Sequence, residues 1–386
     1  MRFCFSTPVW GDNHLNLFKT VCLPSLLAPD NLPALKDASE CLYLIYTRPD
    51  DEVRLRRSAA FRRLEKLMPV QVKLIQEPIE VPHTVMTDCH ADTLRQADAD
   101  GVGAIFIPPD CVWADGCMTS VERIAESGKS VVHTTGIRLN RDTMLPELLK
   151  HLRDRKSTLQ MKPRDLVKLG LNHLHNIAYS HFWNEHDGGL MPANLYWTVP
   201  GEGLLVRCFH LHPLMVKPQR KSATFEGTID DDLALKACPD NSKDHIVTDS
   251  DEILVFELSS PAHEVGAPFP KGRVESISAW AEIGTNERHR ELVGQTIRIH
   301  HAPINDETWA RMEEQADEVV QKALKINRRW MPVLAITNPA VLIWRGYAWS
   351  LGKVAPSRRQ RIAMFARKLL GQRIDWARRL SFTFSQ

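Results

Sequence analysis

The chain has 386 residues, 43% hydrophobic and 25% charged, which suits one large or two medium domains around a sizeable core. A net charge of +2 argues against nucleic acid as a partner of the whole chain. The total hides an asymmetry: residues 345–386 carry ten Lys or Arg against one acid, Asp375, so this segment is +9 and the other 344 residues are −7.

The first stretch, RFCFSTPV, reads as an apolar strand. DNHLNLFKTVCLPSLLA follows with helical spacing at Leu15, Phe18, Cys22 and Leu26; Asp12 or Asn13 is its expected N-cap, and Pro24 should kink or end it. CLYLIYT is a near-continuous apolar run of the kind buried in parallel sheets. EVRLRRSAAFRRLEKLM is predicted helical, VQVKLIQE a strand, DCHADTLRQADAD a helix and GVGAIFIPP a fourth strand. TSVERIAESG is a helix with a glycine stop, and KSVVHTTG a fifth strand. Residues 137–190 read as mainly helical, and short strands return at LYWTV, GLLVRCFHLHPLMV, DEILVFELS and QTIRIHH. A long charged helix runs through DETWARMEEQADEVVQKALKINRRW before the basic tail.

Strand–helix alternation at about thirty-residue spacing predicts an α/β fold with a mostly parallel sheet. Ligands then bind off the carboxyl ends of the strands. Those ends carry Thr7, Pro8 and Trp10, then Thr47 and Arg48, Pro109 and Asp110, and His133 and Thr134, which should converge on one crevice. Eight cysteines without a C-x-x-C pair read as reduced, mostly buried thiols of a cytosolic protein. The opening residues are too short and strand-like for a signal peptide, and no apolar run reaches eighteen residues.

Four constellations carry chemistry. Two prolines deliver Asp110 rigidly at a strand end, while Asp115 reads as an N-cap. An H-x-H on a strand, His210 and His212, puts two imidazoles on one face; it fits a zinc or manganese ion and equally a hydrogen-bonded pair. Glu226 and Asp230 to Asp232 offer more acids than a helix cap needs, so Asp231 or Asp232 is a candidate general base. His300 and His301 end a late strand, where one ring can serve as a metal or phosphate ligand.

The linear order of these pieces over residues 1–305 resembles the GT-A fold of nucleotide-sugar-dependent glycosyltransferases, including the large inverting family two. FSTPVWGDNHLNLFKTVCLPSLL is similar to the family's first strand and turn, which implies that Pro8 to Trp10 line the nucleobase pocket. LYLIYTRPDD places Thr47 and Asp50 or Asp51 near base or ribose, and IFIPPDCVW places Asp110 where the family's D-x-D ends. GTIDDDLALKA is similar to the helix start that supplies the catalytic base, pointing to Asp231 and Asp232, and His300 stands in order to complete the metal site. The first acid of D-x-D is replaced here by proline, and His210 and His212 are the available substitutes as ligands.

The resemblance implies a catalytic domain over 1–305, with a nucleotide-binding half to about 136 and an acceptor and metal half to 305, followed by a helical region over 306–386. It implies sugar transfer from a nucleotide-activated donor to a hydroxyl of a glycan, lipid-linked or protein acceptor, assisted by manganese or magnesium. Bacterial surface glycan synthesis is one setting. The competing readings are a metal-dependent hydrolase built on His210, His212 and Asp230 to Asp232, and a GT-A-shaped binding protein without catalysis. In the tail, Ile362, Phe365, Leu369, Ile374, Trp376 and Leu380 stand among Arg and Lys, which suits an amphipathic helix on an anionic membrane surface, with a peripheral, cytoplasmic-face location, and equally a helix packed on the domain with a solvated cationic face. Flotation with anionic liposomes should be strong for the full chain and lost for residues 1–344; equal behaviour of the two would retire the membrane role.

Overall fold

The computed structural model describes residues 2–325 except 77, 78, 80, 154–156, 184–192, 221, 222, 224, 226, 264–273, 275, 276, 279, 280, 282 and 283. Glu226 and the basic tail therefore lie outside the described residues. The strands are β1 (Phe3–Pro8), β2 (Leu42–Thr47), β3 (Val70–Leu74), β4 (Gly103–Phe106), β5 (Cys111–Trp113), β6 (Val131–Thr134), β7 (Gly136–Asn140), β8 (Leu152–Arg153), β9 (Thr158–Leu159), β10 (Asn194–Val199), β11 (Gly203–Cys208), β12 (His212–Val216), β13 (Asp244–Ile246), β14 (Val255–Ser259) and β15 (Ile297–His300).

Seven of them form the central sheet, in the order β13-β6-β12-β4-β1-β2-β3. Neighbours are parallel except at β12, which runs antiparallel to both β4 and β6. Helices Pro49–Arg56, Ala59–Leu67, Pro82–Asp100 and Cys117–Glu126 connect the strands. This is the α/β, mostly parallel layout that the alternation predicts.

The continuous apolar runs have a direct physical cause. Phe3, Phe5, Tyr43 and Ile45 enter one core, while Cys4, Leu44 and Tyr46 on the same strands enter another. Alternate side chains point to opposite faces, and both faces are covered, so most positions are apolar, and Ser6 and Thr7 are buried with hydrogen-bond partners. Phe5 stacks on Tyr43 at 5.6 Å between centroids. Full burial of such a side chain contributes roughly 1.5–3 kcal/mol.

Several local expectations change. The first helix starts at Asp12 but its N-cap is Gly11, at φ +78°, rather than Asp12 or Asn13. Ahead of Pro24 the helix widens into a π turn, Phe18–Cys22, because proline has no N–H to continue the α ladder. The helix expected over 52–68 is two, since Ser58 takes extended backbone and accepts the Phe61 N–H as a new N-cap. The run GLLVRCFHLHPLMV is likewise two strands, β11 and β12, in different sheets.

Three smaller sheets complete the described fold: the two-stranded β8-β9, then β5-β14-β7 and β10-β11-β15. Helix Asp306–Lys325 lays Trp309, Met312, Ala316, Val320 and Ala323 on the latter, meeting Trp197, Leu205 and Phe209. Buried Arg207 of β11 pins that helix by pairing with Asp317 and also donates to the Gly294 carbonyl.

Gly203 faces His300 where β11 meets β15, and a Cβ there would stand 2.1 Å from the Ile299 carbonyl oxygen. The clash is with backbone, so nothing can rotate away. Gly203→Ala should destabilise by about 1–3 kcal/mol or more, read as a lowered midpoint in urea.

Candidate functional site

Strand order turns at β1: the chain goes from β1 to β2 and β3 on one side, then returns to β4 on the other. A crevice opens at such a switch point, off the carboxyl ends of the strands. The helix after β1 brings His14 Nε2 to 3.9 Å from the carboxylate of Asp110, which follows β4.

Only Ile107 to Asp110 separate β4 from β5, and in that interval the chain passes from the central sheet to a smaller one. Pro108 and Pro109 suit the passage because neither can donate to a ladder. The Asp110 carbonyl accepts from the Leu258 N–H at 2.8 Å, anchoring the crossover to β14. In β14, Glu257 lies opposite Cys111, so a second carboxylate arrives beside Asp110 from a distant part of the chain. Sequence reasoning missed Glu257, which stands inside an apolar strand and has no local motif.

Burial, and next the charge of Glu257, push Asp110 up to about 7. Arg138 Nη2, from β7, pairs with Glu257 at 3.1 Å, and the Ser259 hydroxyl donates to the same carboxylate at 2.9 Å. Arg138 Nη1 is buried without a hydrogen-bond partner among the described residues. Burial holds His14 below its ordinary value despite the pull of Glu257, which favours a neutral ring. The mouth thus combines two crowded carboxylates, an undercompensated negative charge and one spare guanidinium donor. Both carboxylates fit a divalent cation, and the spare donor fits an anionic oxygen.

The other strand ends differ from expectation in part. Thr7 and Pro8 are buried in β1, and the Thr7 hydroxyl is hydrogen bonded to Tyr43 Oη at 2.9 Å in the core; Trp10 is half-buried just beyond. Thr47 is buried at the end of β2 and its hydroxyl lacks a partner among the described residues. Arg48 is engaged by Asp51, whose fully buried carboxylate also accepts from the Gly11 N–H at 2.8 Å and pairs with Arg54. Asp51 therefore ties the β1 turn to the helix after β2 and does not face a ribose. Asp115 is not the N-cap, which is Gly116; its carboxylate accepts from the Asp30 N–H and from Gln160.

His210 and His212 do not share a face. The chain leaves one sheet and enters another between them, with Phe209 and Leu211 buried on either side. His212 bonds the Phe106 carbonyl at 2.9 Å, whereas His210 bonds the Gly284 carbonyl and lies 4.0 Å from the His289 ring. The H-x-H cannot act as a paired metal ligand in this arrangement. Burial lowers His212, opposed by its hydrogen bond to the Phe106 carbonyl and then by the charges of Asp230 and Glu257.

Helix Ile229–Ala237 begins with the three aspartates. Asp231 Oδ2 completes a capping box with the Thr228 N–H at 3.0 Å, and its Oδ1 lies 3.9 Å from His210 Nδ1. Partial burial and Asp230 raise Asp231 above the usual carboxylate range. Asp232 is held by Lys236 one turn on. Gly227, at φ +86°, is required before this cap, since a Cβ would lie 2.3 Å from Asp231 Oδ2. A pocket between this helix start, His133, Pro213, Arg288 and His289 opens beside these acids.

His300 and Asp110 are not in one ligand group. Instead His300 Nε2 meets Asp249 Oδ1 at 3.0 Å and Asp251 Oδ2 at 3.7 Å, in a loop after β13. Among the described residues this is the group of three whose donor atoms suit a shared ion. The D-S-D at 249–251 was a readable signal, passed over because β13 is three residues long.

Comparison with protein-family models and with curated proteins returns no match. Among solved structures, the chain is similar to S. aureus TarS, with TM-score 0.31 and 11% identity over 86% of this chain and 47% of TarS; it thus spans about half the length of that protein. It is also similar to a putative glucose-1-phosphate thymidylyltransferase from Bacillus anthracis, with TM-score 0.23 and 13% identity over 37% of this chain and 57% of the other. Likeness of this extent leaves the reading to the site's own chemistry. Among the described residues no helix is long and apolar enough to cross a membrane.

A raised carboxyl binds its proton more readily in the folded state, so its contribution to stability is lost as pH rises from about 4 through 7. Asp110→Asn removes that penalty. The variant should gain stability relative to the parent as pH rises from 4 through 7, read in urea titrations at pH 4, 6 and 8.

Proposed function

We propose that the protein is a glycosyltransferase that moves a sugar from a nucleotide-activated donor to an acceptor hydroxyl with inversion. The observation that carries the reading is the pairing of Asp110 with Glu257 beside Arg138 Nη1, which has no partner among the described residues, at the switch point of a mostly parallel sheet. A nucleoside diphosphate needs cations at its oxygens and a donor that does not reorganise, and this mouth offers places for both. Asp110 and Glu257 would hold the ion, and the all-oxygen pair favours magnesium or manganese; when bound, the ion neutralises charge on the leaving diphosphate. Arg138 Nη1 donates to a phosphate oxygen. Trp10, Thr47 and Arg48 flank the base and ribose end of the crevice.

Asp231 is the better candidate of the two predicted bases. Its Oδ2 is fixed by Thr228, its Oδ1 is left toward His210, and its raised proton affinity strengthens it as an acceptor. Asp232 is neutralised by Lys236. The acceptor is a glycan, a lipid-linked saccharide or a protein hydroxyl, and the basic tail would keep the enzyme at an anionic cytoplasmic membrane face.

Thermal unfolding with UDP, GDP, CDP, CMP and ADP, each with and without manganese, tests the donor. One nucleotide should stabilise in a metal-dependent way, by about 2.7 kcal/mol at a hundredfold excess over Kd. With that donor class, Asp110→Asn, Glu257→Gln and Asp231→Asn should each lower transfer about 10²–10⁴-fold while remaining folded. Parental turnover in Asp110→Asn would sink the assignment, and nucleotide binding without turnover would favour a binding protein.

A further inference from the structure

We propose that Asp249, Asp251 and His300 form a transition-metal centre separate from the Asp110–Glu257 mouth. The elements make it from two distant segments. Arg298 of β15 exchanges backbone hydrogen bonds with Thr248 and Ser250, and the His300 N–H donates to Ser250 Oγ at 3.1 Å. The D-S-D loop is thereby laid along the end of β15 with both carboxylates turned to the same ring.

The ring's orientation identifies the ligand. His300 Nδ1 lies 2.8 Å from the Ala302 carbonyl, which can only accept, so Nδ1 carries the proton. In the neutral imidazole, Nε2 then presents a lone pair to two carboxylate oxygens. Three acceptors converging on one point require a positive charge among them, which a metal ion or a second ring proton can supply. Donation of the second ring N–H to a backbone carbonyl is the support that metal-bound histidines use. The separations agree: bonds of about 2.1 Å place two ligand atoms about 3.0 Å apart at a right angle and about 3.7 Å apart near 120°. The observed distances are 3.0 and 3.7 Å.

His300 is 1% exposed, while Asp249 and Asp251 are about 40% exposed, so the ring is locked and the carboxylate side is open to an ion and its waters. Arg164 donates its Nε–H to both Asp251 oxygens and its Nη2–H to Oδ2, the oxygen that faces His300, and the Asp251 N–H donates to Asp249 Oδ1. These contacts orient the carboxylates but place a guanidinium near the ion, which disfavours weak binding by charge alone. One imidazole with two carboxylates suits zinc, cobalt or manganese rather than magnesium or calcium, with zinc tighter than the other two.

Isothermal titration of the metal-free full chain with Zn²⁺, and the visible absorption of bound Co²⁺, test the assignment. One tight equivalent of zinc is expected, with cobalt bands of a low-symmetry N/O site. Asp249→Asn, at an exposed carboxylate, should weaken zinc at least tenfold, and His300→Gln should do the same if it folds. Asp110→Asn should leave this equivalent intact, which separates the centre from the proposed donor site. Absence of a tight equivalent overturns the proposal. So does unchanged affinity in Asp249→Asn, or an imidazole ¹⁵N spectrum showing His300 doubly protonated with excess zinc present.

Discussion

The passage from β4 to β5 is the constraint on which the site depends. Within Ile107 to Asp110 the chain must leave a sheet covered on both faces and join another, without stranding backbone donors in the interior. Two prolines remove donors at the crossing, and the Asp110 carbonyl is satisfied by Leu258. That bond fixes where β14 lies, and the register of β14 then brings Glu257 to Asp110. Arg138 follows from the same register, since β7 pairs β14 with Arg138 opposite Glu257. One backbone crossing thus places all three charged groups of the mouth.

Electrostatics across the crevice is one-sided. Its histidines are biased toward neutrality by burial, His14 and His212 in direction and His289 down to about 4, so they do not offset the carboxylates. Aspartates at 230 to 232 add further charge at a helix start, where the helix dipole and the capping box tolerate it.

Elsewhere the charges are matched. Asp244 at the edge strand β13 is bound by both His133 and Arg288, and Arg288 also donates to the carbonyls of Cys238 and Pro239. This buried group joins β6, β13 and helix Glu287–Leu292 behind the acidic helix start. Removing one member would leave an uncompensated buried charge, so the network supports the position of Asp230 to Asp232.

The sequence by itself determined the α/β class, the five central strands β1, β2, β3, β4 and β6, and the strand-end position of Asp110, because covered parallel strands are mostly apolar and so announce themselves locally. It also marked His300 and the aspartates of 230 to 232 as unusual. Only the tertiary structure decided their partners. Glu257 joins Asp110, His300 joins Asp249 and Asp251, and His210 parts from His212, because strand pairing and the switch between sheets are set by contacts between segments far apart in the chain. The three-residue strands β5 and β13 escaped for the same reason: at that length the local pattern is too short to register, and only the neighbouring strand defines them.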